Sequence, residues 1–260
     1  MGLGKIAIRL AASLALLFGM MWAIPHFAPP VPEPYKGVQA LPPVSPDPTG
    51  STTAPPPLPP GFPSMERPPP KIEVPDGQPQ PIATKFGWTY EIPADWRNFS
   101  TGIAGWSNAG RSVVYGSIGD FGTNYCPESD GSTLAMSGMT GRRGMDLRTA
   151  ALDAARGAEI IFGDDSAAPP LIEYSHPSDI EVAGEPAVRY TVSASSVHKR
   201  ADCDPTEGTF DVVAVPGFAT ATVAVFFVKL DLAVDGAVDH SVVEEIISTL
   251  RRSDPQEVTR

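Results

Sequence analysis

Residues Ala219 to Leu230, ATATVAVFFVKL, determine the fold of this chain. In an extended strand, successive side chains point to opposite faces. Three apolar side chains then fall on each face: Val223, Val225 and Phe227 on one, and Ala224, Phe226 and Val228 on the other. A strand that is apolar on both faces is covered on both sides. The sequence therefore predicts that it lies near the middle of a layered structure.

Further strand patterns surround this stretch. Phe210–Val215 precedes it, and Pro216-Gly217 separates the two as a turn signal, so they form a predicted hairpin. Alternating or β-branched segments between proline and glycine signals predict other strands. These are Trp88–Ile92, Ser112–Ile118, and two strands joined by a tight turn within 181–192.

Two segments have helical periodicity. One runs from Leu147 to Ile161, with apolar residues three and four apart and Asp146 in place as an N-cap. The other is 243–250, where Ser241 and Glu244 stand three apart as a predicted capping box. Strands, a helix, more strands and a final helix predict an α+β sandwich with a mainly antiparallel sheet.

The first 28 residues have the pattern of an export segment. Lys5 and Arg9 precede about fifteen residues without an ionisable side chain. No small-x-small triplet for a signal peptidase follows. We expect a short cytoplasmic stub and a retained signal-anchor transmembrane helix over 1–28, with the rest of the chain outside the cell membrane. A cleaved secretory signal is the alternative.

Residues 29–81 are rich in proline, with runs such as Pro55-Pro56-Pro57 and Pro68-Pro69-Pro70. Proline fixes φ and removes the backbone donor, which prevents helix and sheet. We expect a disordered, locally polyproline II linker with a contour on the order of 150 Å. It acts as a spacer or, alternatively, as a docking site for a proline-binding module.

The remaining sequence divides into a folded extracytoplasmic domain over 82–252 and a flexible tail over 253–260. The formal net charge of the chain is −11. An acidic protein repels phosphate backbones, so we expect no nucleic-acid partner.

The YEIPADW run at 90–96, the VAGEPA turn at 182–187 and the final helix after a long apolar strand resemble actinobacterial envelope proteins. Those proteins have a membrane anchor, a proline-rich linker and a carboxy-terminal domain of unknown function. Residues 84–252 are similar to the PsbP-like sandwich of mycobacterial lipoproteins. This chain has no lipid-accepting cysteine near its amino-terminal segment. The resemblance implies a layered α/β/α sandwich at the cell envelope, and it implies no catalytic residues.

The chain has two cysteines, Cys126 and Cys203, each in a turn-rich setting. Outside the membrane an even number of cysteines favours a disulfide bond, which we predict here. Two free thiols are one alternative. A metal site is another, and it would need ligands beyond these two cysteines and the nearby His198.

No motif predicts a catalytic, cofactor-binding or metal-binding residue. Gly105–Gly110 departs from a nucleophile elbow by one residue, and Ser196–Lys199 has the Ser-x-x-Lys spacing without its partner motifs. Both serines are expected in strand ends or loops. Two scattered sets carry weaker patterns: the histidines His176, His198 and His240, and the acids Asp202, Asp204 and Glu207, whose spacing is not that of a calcium loop.

Three tryptophans, Trp88, Trp96 and Trp106, cluster near the start of the domain. Core packing is the first interpretation. An exposed aromatic binding surface for a glycan or a partner is the second.

Together these features favour a membrane-anchored extracytoplasmic module without catalytic activity that displays a protein-interaction surface in the bacterial cell envelope. Its partners would be the cytoplasmic membrane, through the amino-terminal helix, and an envelope protein. The alternative is a domain that binds a lipid or another small apolar ligand between the sheet and the helix at 147–161. An envelope hydrolase would require a serine, a histidine and a carboxylate in contact.

Overall fold

The computed structural model describes residues 69–218 and 221–254. The predicted anchor, most of the predicted linker and most of the predicted tail lie outside these residues. In the described part of the chain, no helix has both the length and the apolar character needed to cross a membrane. The first strand begins at Gln80, just before the predicted domain boundary.

The described residues form eleven strands and three helices. In chain order they are β1 (Gln80–Ala83), β2 (Trp88–Ile92), β3 (Arg97–Asn108), β4 (Arg111–Phe121), β5 (Ala135–Arg142), α1 (Leu147–Ala155), α2 (Ala158–Ile161), β6 (Leu171–Tyr174), β7 (Ser178–Val182), β8 (Glu185–Ser195), β9 (Glu207–Pro216), β10 (Val223–Leu232), α3 (Ser241–Ser248) and β11 (Arg251–Arg252).

Two sheets organise the domain. The larger has eight strands in the order β3-β4-β5-β10-β9-β8-β6, and β7 also pairs with β8. The smaller has the order β1-β2-β11. Every strand pair in the described residues is antiparallel. The α+β class and the mainly antiparallel sheet are therefore confirmed.

Strand β10 lies between β5 and β9, in the middle of the larger sheet. Both of its predicted apolar faces are buried. Ala224, Phe226 and Val228 pack with the smaller sheet and α3, whereas Val223, Val225 and Phe227 belong to the cluster that contains α1 and α2. The central strand that the sequence predicted, and the hairpin with β9, are confirmed.

Helix α1 covers the second face with alanines. Ala150, Ala151, Ala154 and Ala155 are completely buried, and their small side chains let the helix lie close to the sheet. Asp146 caps it as predicted, since its Oδ1 accepts a hydrogen bond from the Thr149 amide at 2.8 Å. The predicted single helix divides near Gly157, where a Cβ would lie 2.7 Å from the Ala154 carbonyl oxygen.

Helix α3 covers the first face through Val243 and Ile246. The predicted capping box is wrong. Ser241 is the first helical residue, and its amide donates a hydrogen bond to Asp239 Oδ1 at 2.8 Å. The side chain that accepts from a free amide at the start of the helix is therefore that of Asp239. After α3 the chain returns to β2, where Arg252 pairs with Trp88.

A buried carboxylate joins α3 to the larger sheet. Asp211 on β9 is 1% exposed. Its Oδ1 accepts hydrogen bonds from Arg189 Nη2 at 2.7 Å and Thr191 Oγ1 at 2.6 Å. Its Oδ2 lies 3.2 Å from Nε2 of His240, directly before the helix. Because Arg189 also contacts Glu244 of α3 at 2.7 Å, these polar groups fix the helix over β8 and β9.

Two isoleucines test how much the packing of α3 contributes to stability. Ile246 has no exposed surface, whereas Ile103 is 75% exposed. We expect Ile246→Ala to lower the free energy of unfolding by about 2–5 kcal/mol, since it leaves a cavity in the core. Ile103→Ala is the matched control and should change it by less than about 0.5 kcal/mol. Urea unfolding of both variants measures the difference, and equal effects would contradict this packing.

Candidate functional site

A disulfide bond joins Cys126 and Cys203, as the sequence predicted. The S–S distance is 1.97 Å, the Cα atoms are 5.4 Å apart, and 77 positions separate the two residues in the sequence. Neither described cysteine is free. The bond ties the loop between β4 and β5 to the loop between β8 and β9. In the larger sheet, β4 and β5 lie on one side of β10, and β8 and β9 lie on the other side.

A cavity of about 370 Å³ opens beside these loops, within the range of small-ligand sites. The loops, β3, β5, β10 and the segment around α2 all contribute to its lining. Residues important for its chemistry are Trp106, Tyr125, Ser129, Ser132, Met136, Phe162, Asp164, Arg200, Asp204, Lys229 and Asp231. A neighbouring hollow of about 570 Å³ shares Tyr125 and Asp204, but exposed or half-buried residues alone line it. The first cavity is the better candidate because it reaches buried charged groups.

Lys229 and Asp231, called the floor pair below, continue the buried face of β10 on which Val225 and Phe227 lie. Lys229 is 8% exposed and Asp231 4% exposed. Lys229 Nζ lies 2.5 Å from Asp231 Oδ1 and 5.9 Å from the centre of the Phe162 ring. Removing two such charges from water is costly unless they pair, so the contact between them is required for the strand to be buried here.

The floor pair keeps unused hydrogen-bonding capacity. Asp231 Oδ1 forms an ion pair with Lys229 Nζ outside regular hydrogen-bond geometry, and it has no other donor among the described residues. The other oxygen, Oδ2, is 3.5 Å from the Tyr125 hydroxyl, a long contact. Burial, together with the nearby Asp231 and Asp204 carboxylates, raises the pKa of Tyr125, which therefore stays protonated as a donor at neutral pH.

The charged groups at the rim already have partners. Asp204 Oδ2 accepts hydrogen bonds from the amides of Arg200 at 2.8 Å and Ala201 at 2.9 Å, and Oδ1 accepts one from Ser129 Oγ at 2.5 Å. Desolvation acts to raise the pKa of Asp204, but these hydrogen bonds and the Arg200 charge outweigh it and lower that pKa. Arg200 Nε also donates to Asp164 Oδ2 at 2.6 Å. Hydrogen bonds from Ser166 and Arg200 hold the pKa of Asp164 below its usual value.

The three tryptophans do not share an exposed surface. Trp88 is completely buried, and its Nε1 donates to the Pro216 carbonyl oxygen at 2.7 Å. Trp96 is 4% exposed and stacks on Phe121. Burial in the core removes both from any binding surface, which corrects the second interpretation for these two residues. Trp106 is half-buried and lines the cavity.

The structure separates the residues of the weaker motifs. Ser107 lies on β3 and its hydroxyl is 2.8 Å from that of Ser112, so Gly105–Gly110 is the end of a hairpin and not a nucleophile elbow. Lys199 Nζ donates to the Asp202 carbonyl oxygen. His240 contacts Asp211, whose other partners are an arginine and a threonine. Within the described residues, no group of three or more histidine, cysteine or acidic side chains could hold a metal ion.

Sequence reasoning missed the floor pair, although a signal for it was present. The alternation of Val223, Val225 and Phe227 continues to Lys229 and Asp231 on the same face of β10. Two charges that extend a buried apolar face indicate either the end of the core or a polar site within it. Both apply here, because the apolar face ends at Phe227 and the loops that carry Cys126 and Cys203 line a cavity beside the floor pair.

Comparison with known proteins adds a family. Residues 70–255 match a family described as a domain of unknown function, DUF8017. None of the curated proteins matches the chain. A solved structure from Bacteroides thetaiotaomicron is similar at 12% identity over 70% of this chain, with a TM-score of 0.32. The match covers 50% of that protein, so the present chain spans about half of its length.

The Cys126–Cys203 bond can be tested on gels and by unfolding. If cells are treated with a thiol-blocking reagent before lysis, we expect the chain to run faster on a non-reducing gel than on a reducing gel, because the oxidised chain is more compact. Replacing both Cys126 and Cys203 by alanine should lower the free energy of unfolding by up to about 4 kcal/mol. Two thiols that react in the native protein would contradict the bond.

The pH dependence of the free energy of unfolding tests the contacts of Asp204 at the rim of the cavity. A carboxyl group whose pKa is lowered in the folded state adds stability above its unfolded pKa of about 3.9, and loses it as the pH falls through the folded value. We expect Asp204→Asn to destabilise the chain most near neutral pH, and the difference from wild type to shrink below about pH 4. Urea unfolding at several pH values measures this, with Asp130→Asn at an exposed position of the loop between β4 and β5 as the control. A difference that is constant with pH would contradict the assignment.

Proposed function

We propose that this chain, which belongs to the DUF8017 family of domains of unknown function, is a noncatalytic binding domain of the bacterial cell envelope. Its ligand is a small polar molecule that enters the cavity beside the disulfide. The observation that carries the proposal is the open cavity of about 370 Å³ with a buried lysine and aspartate at its floor. Cavities of this size are typical of small-molecule binding.

The packing favours a polar ligand over a lipid. The region between α1 and the larger sheet, where an apolar ligand was expected, is filled by side chains such as Ala150 and Ala154, which have no exposed surface. The cavity lies at the α2 end of that layer instead. There the lining includes the floor pair, the hydroxyls of Ser129 and Ser132, and the rim carboxylates. An acyl chain would leave these groups without hydrogen bonds to water.

Two features support a location outside the cytoplasmic membrane. A structural disulfide is typical of an oxidising compartment. The apolar segment at 1–28 and the proline-rich segment at 29–81 have the composition of a signal anchor and a spacer. We therefore propose a single-pass membrane protein whose carboxy-terminal domain is extracytoplasmic. Kinship with the actinobacterial envelope proteins and their PsbP-like α/β/α sandwich is part of the same proposal.

A second candidate function is docking to an envelope protein. Phe99, Ile103 and Val114 on β3 and β4 are 46%, 75% and 54% exposed. Strand β3 is an edge strand of the larger sheet, and Ile103 and Val114 lie opposite Gly116 and Gly105 in its pairing with β4. Exposed apolar side chains on a sheet edge favour contact with another protein.

The ligand-binding proposal can be tested by thermal unfolding of the purified full-length chain with a library of small polar metabolites and lipids. A ligand that binds only the native state raises the melting temperature. We expect polar compounds to do so, and lipids not to. The increase should disappear in the double variant Lys229→Met with Asp231→Leu, which removes the floor pair and leaves no unpaired buried charge.

Stabilisation by lipids alone would contradict the proposal and favour the lipid-binding alternative. Equal stabilisation of wild type and the double variant would place the ligand elsewhere. A library without any stabilising compound, together with a protein partner captured through β3 and β4, would favour the docking candidate.

A further inference from the structure

The lining of the cavity has four aspartates, Asp130, Asp164, Asp204 and Asp231, and two cations, Arg200 and Lys229, so acidic side chains are in excess. Apart from the exposed Asp130, each of these charged groups has a partner within the protein. Lys229 is paired with Asp231, and Arg200 with Asp164. Asp204 is satisfied by two amides and a hydroxyl of its own loop. A charged ligand would have to displace one of these internal partners, which leaves a charge unpaired in a poorly solvated place. The acidic excess therefore disfavours an anion, and the paired charges at the floor favour ligand groups without a charge.

Hydrogen-bond donors and acceptors lie side by side at the floor of the cavity. Lys229 offers ammonium protons beyond the one directed at Asp231, because an ammonium group has three. Asp231 offers two acceptor oxygens: Oδ1 forms the ion pair with Lys229 Nζ and has no other donor among the described residues, and Oδ2 is 3.5 Å from the Tyr125 hydroxyl. A ligand hydroxyl both donates and accepts. Adjacent hydroxyl groups would match adjacent donors and acceptors better than a carboxylate or an ammonium group.

Aromatic side chains complete the lining. Trp106 and Phe162 both line the cavity. The Trp106 ring is held edge-on against Tyr115 and Phe227, at centroid distances of 6.3 and 6.2 Å, so it is fixed before a ligand arrives. An aromatic ring of this kind packs well against the apolar C–H face of a sugar ring, whose hydroxyls remain free for polar groups.

We infer that the cavity binds a neutral polyhydroxylated compound, a sugar of one or two rings. This inference rests on the proposed ligand-binding function and specifies its ligand. The sugar can be free or can be the terminal residue of an envelope polysaccharide, since both offer the same hydroxyl groups and the same C–H face.

Matched sugars test the inference on the purified full-length chain by calorimetry and ligand-observed NMR. Galactose against galacturonate and glucose against glucosamine differ by a single charge on the same ring. We expect each neutral sugar to bind about tenfold more tightly than its charged counterpart, because the charged group competes with the internal pairs. A neutral oligosaccharide with the same terminal sugar, compared with the free sugar, distinguishes a polysaccharide end from a free ligand.

Variants of the cavity lining test whether the sugar binds in this cavity. Lys229→Met with Asp231→Leu, and separately Trp106→Leu, should weaken sugar binding by about tenfold or more. The control is Arg148→Met with Asp179→Leu, which removes a different ion pair of 2.6 Å, between two exposed residues of α1 and β7. This control should bind sugar like wild type. Melting curves of each variant show whether it is folded before binding is compared.

The outcomes separate the inference from the function on which it rests. Tighter binding of galacturonate or glucosamine, lost in the floor-pair variant, would overturn the neutral-sugar assignment and leave the ligand-binding function intact. Sugar binding that the floor-pair variant retains would overturn the assigned site. The absence of binding by any sugar at millimolar concentration would overturn the inference, and the metabolite library then decides whether the cavity binds another small polar molecule.

Discussion

The structure depends on the need to cover both faces of β10. Phe226 and Phe227 are neighbours in the sequence, point to opposite sides of the larger sheet, and have no exposed surface. One layer cannot bury both. The smaller sheet and α3 cover one face, and the alanines of α1 with α2 cover the other. Because apolar burial is the main favourable term in folding, the rest of the chain is arranged around this strand.

The candidate site lies where the layers that cover the two faces of β10 end. On the face beneath α1 and α2, β10 changes from Phe227 to Lys229 and Asp231 within two pleats, and the loops that carry Cys126 and Cys203 replace the helices. Loops have few apolar contacts of their own, so a covalent bond between them fixes a wall that packing alone would leave mobile. The site is thus a polar gap with rigid sides at the edge of the core.

The sequence predicted the elements with strong periodicity and failed where a contact distant in sequence decides the outcome. The hairpin of β9 and β10, the turn between β7 and β8, and the Asp146 cap depend on local patterns and are confirmed. The predicted capping box at α3 was wrong because Asp239, and not Glu244, accepts the hydrogen bond from the Ser241 amide. The floor pair and the pairing of β11 with β2 were missed, since single-sequence periodicity does not report which segments meet.

The arrangement of β1, β2 and β11 bears on how the domain responds to force. Gln80, where the domain begins, pairs at the Ile92 end of β2, and Arg252, near its end, pairs at the Trp88 end. The entering and leaving strands therefore flank β2 and run parallel to each other, with their outer ends on the order of 15 Å apart. Tension between these ends would act along the strands and strain their inter-strand hydrogen bonds together, in shear. Such a domain resists stretching better than one whose end strands peel away bond by bond.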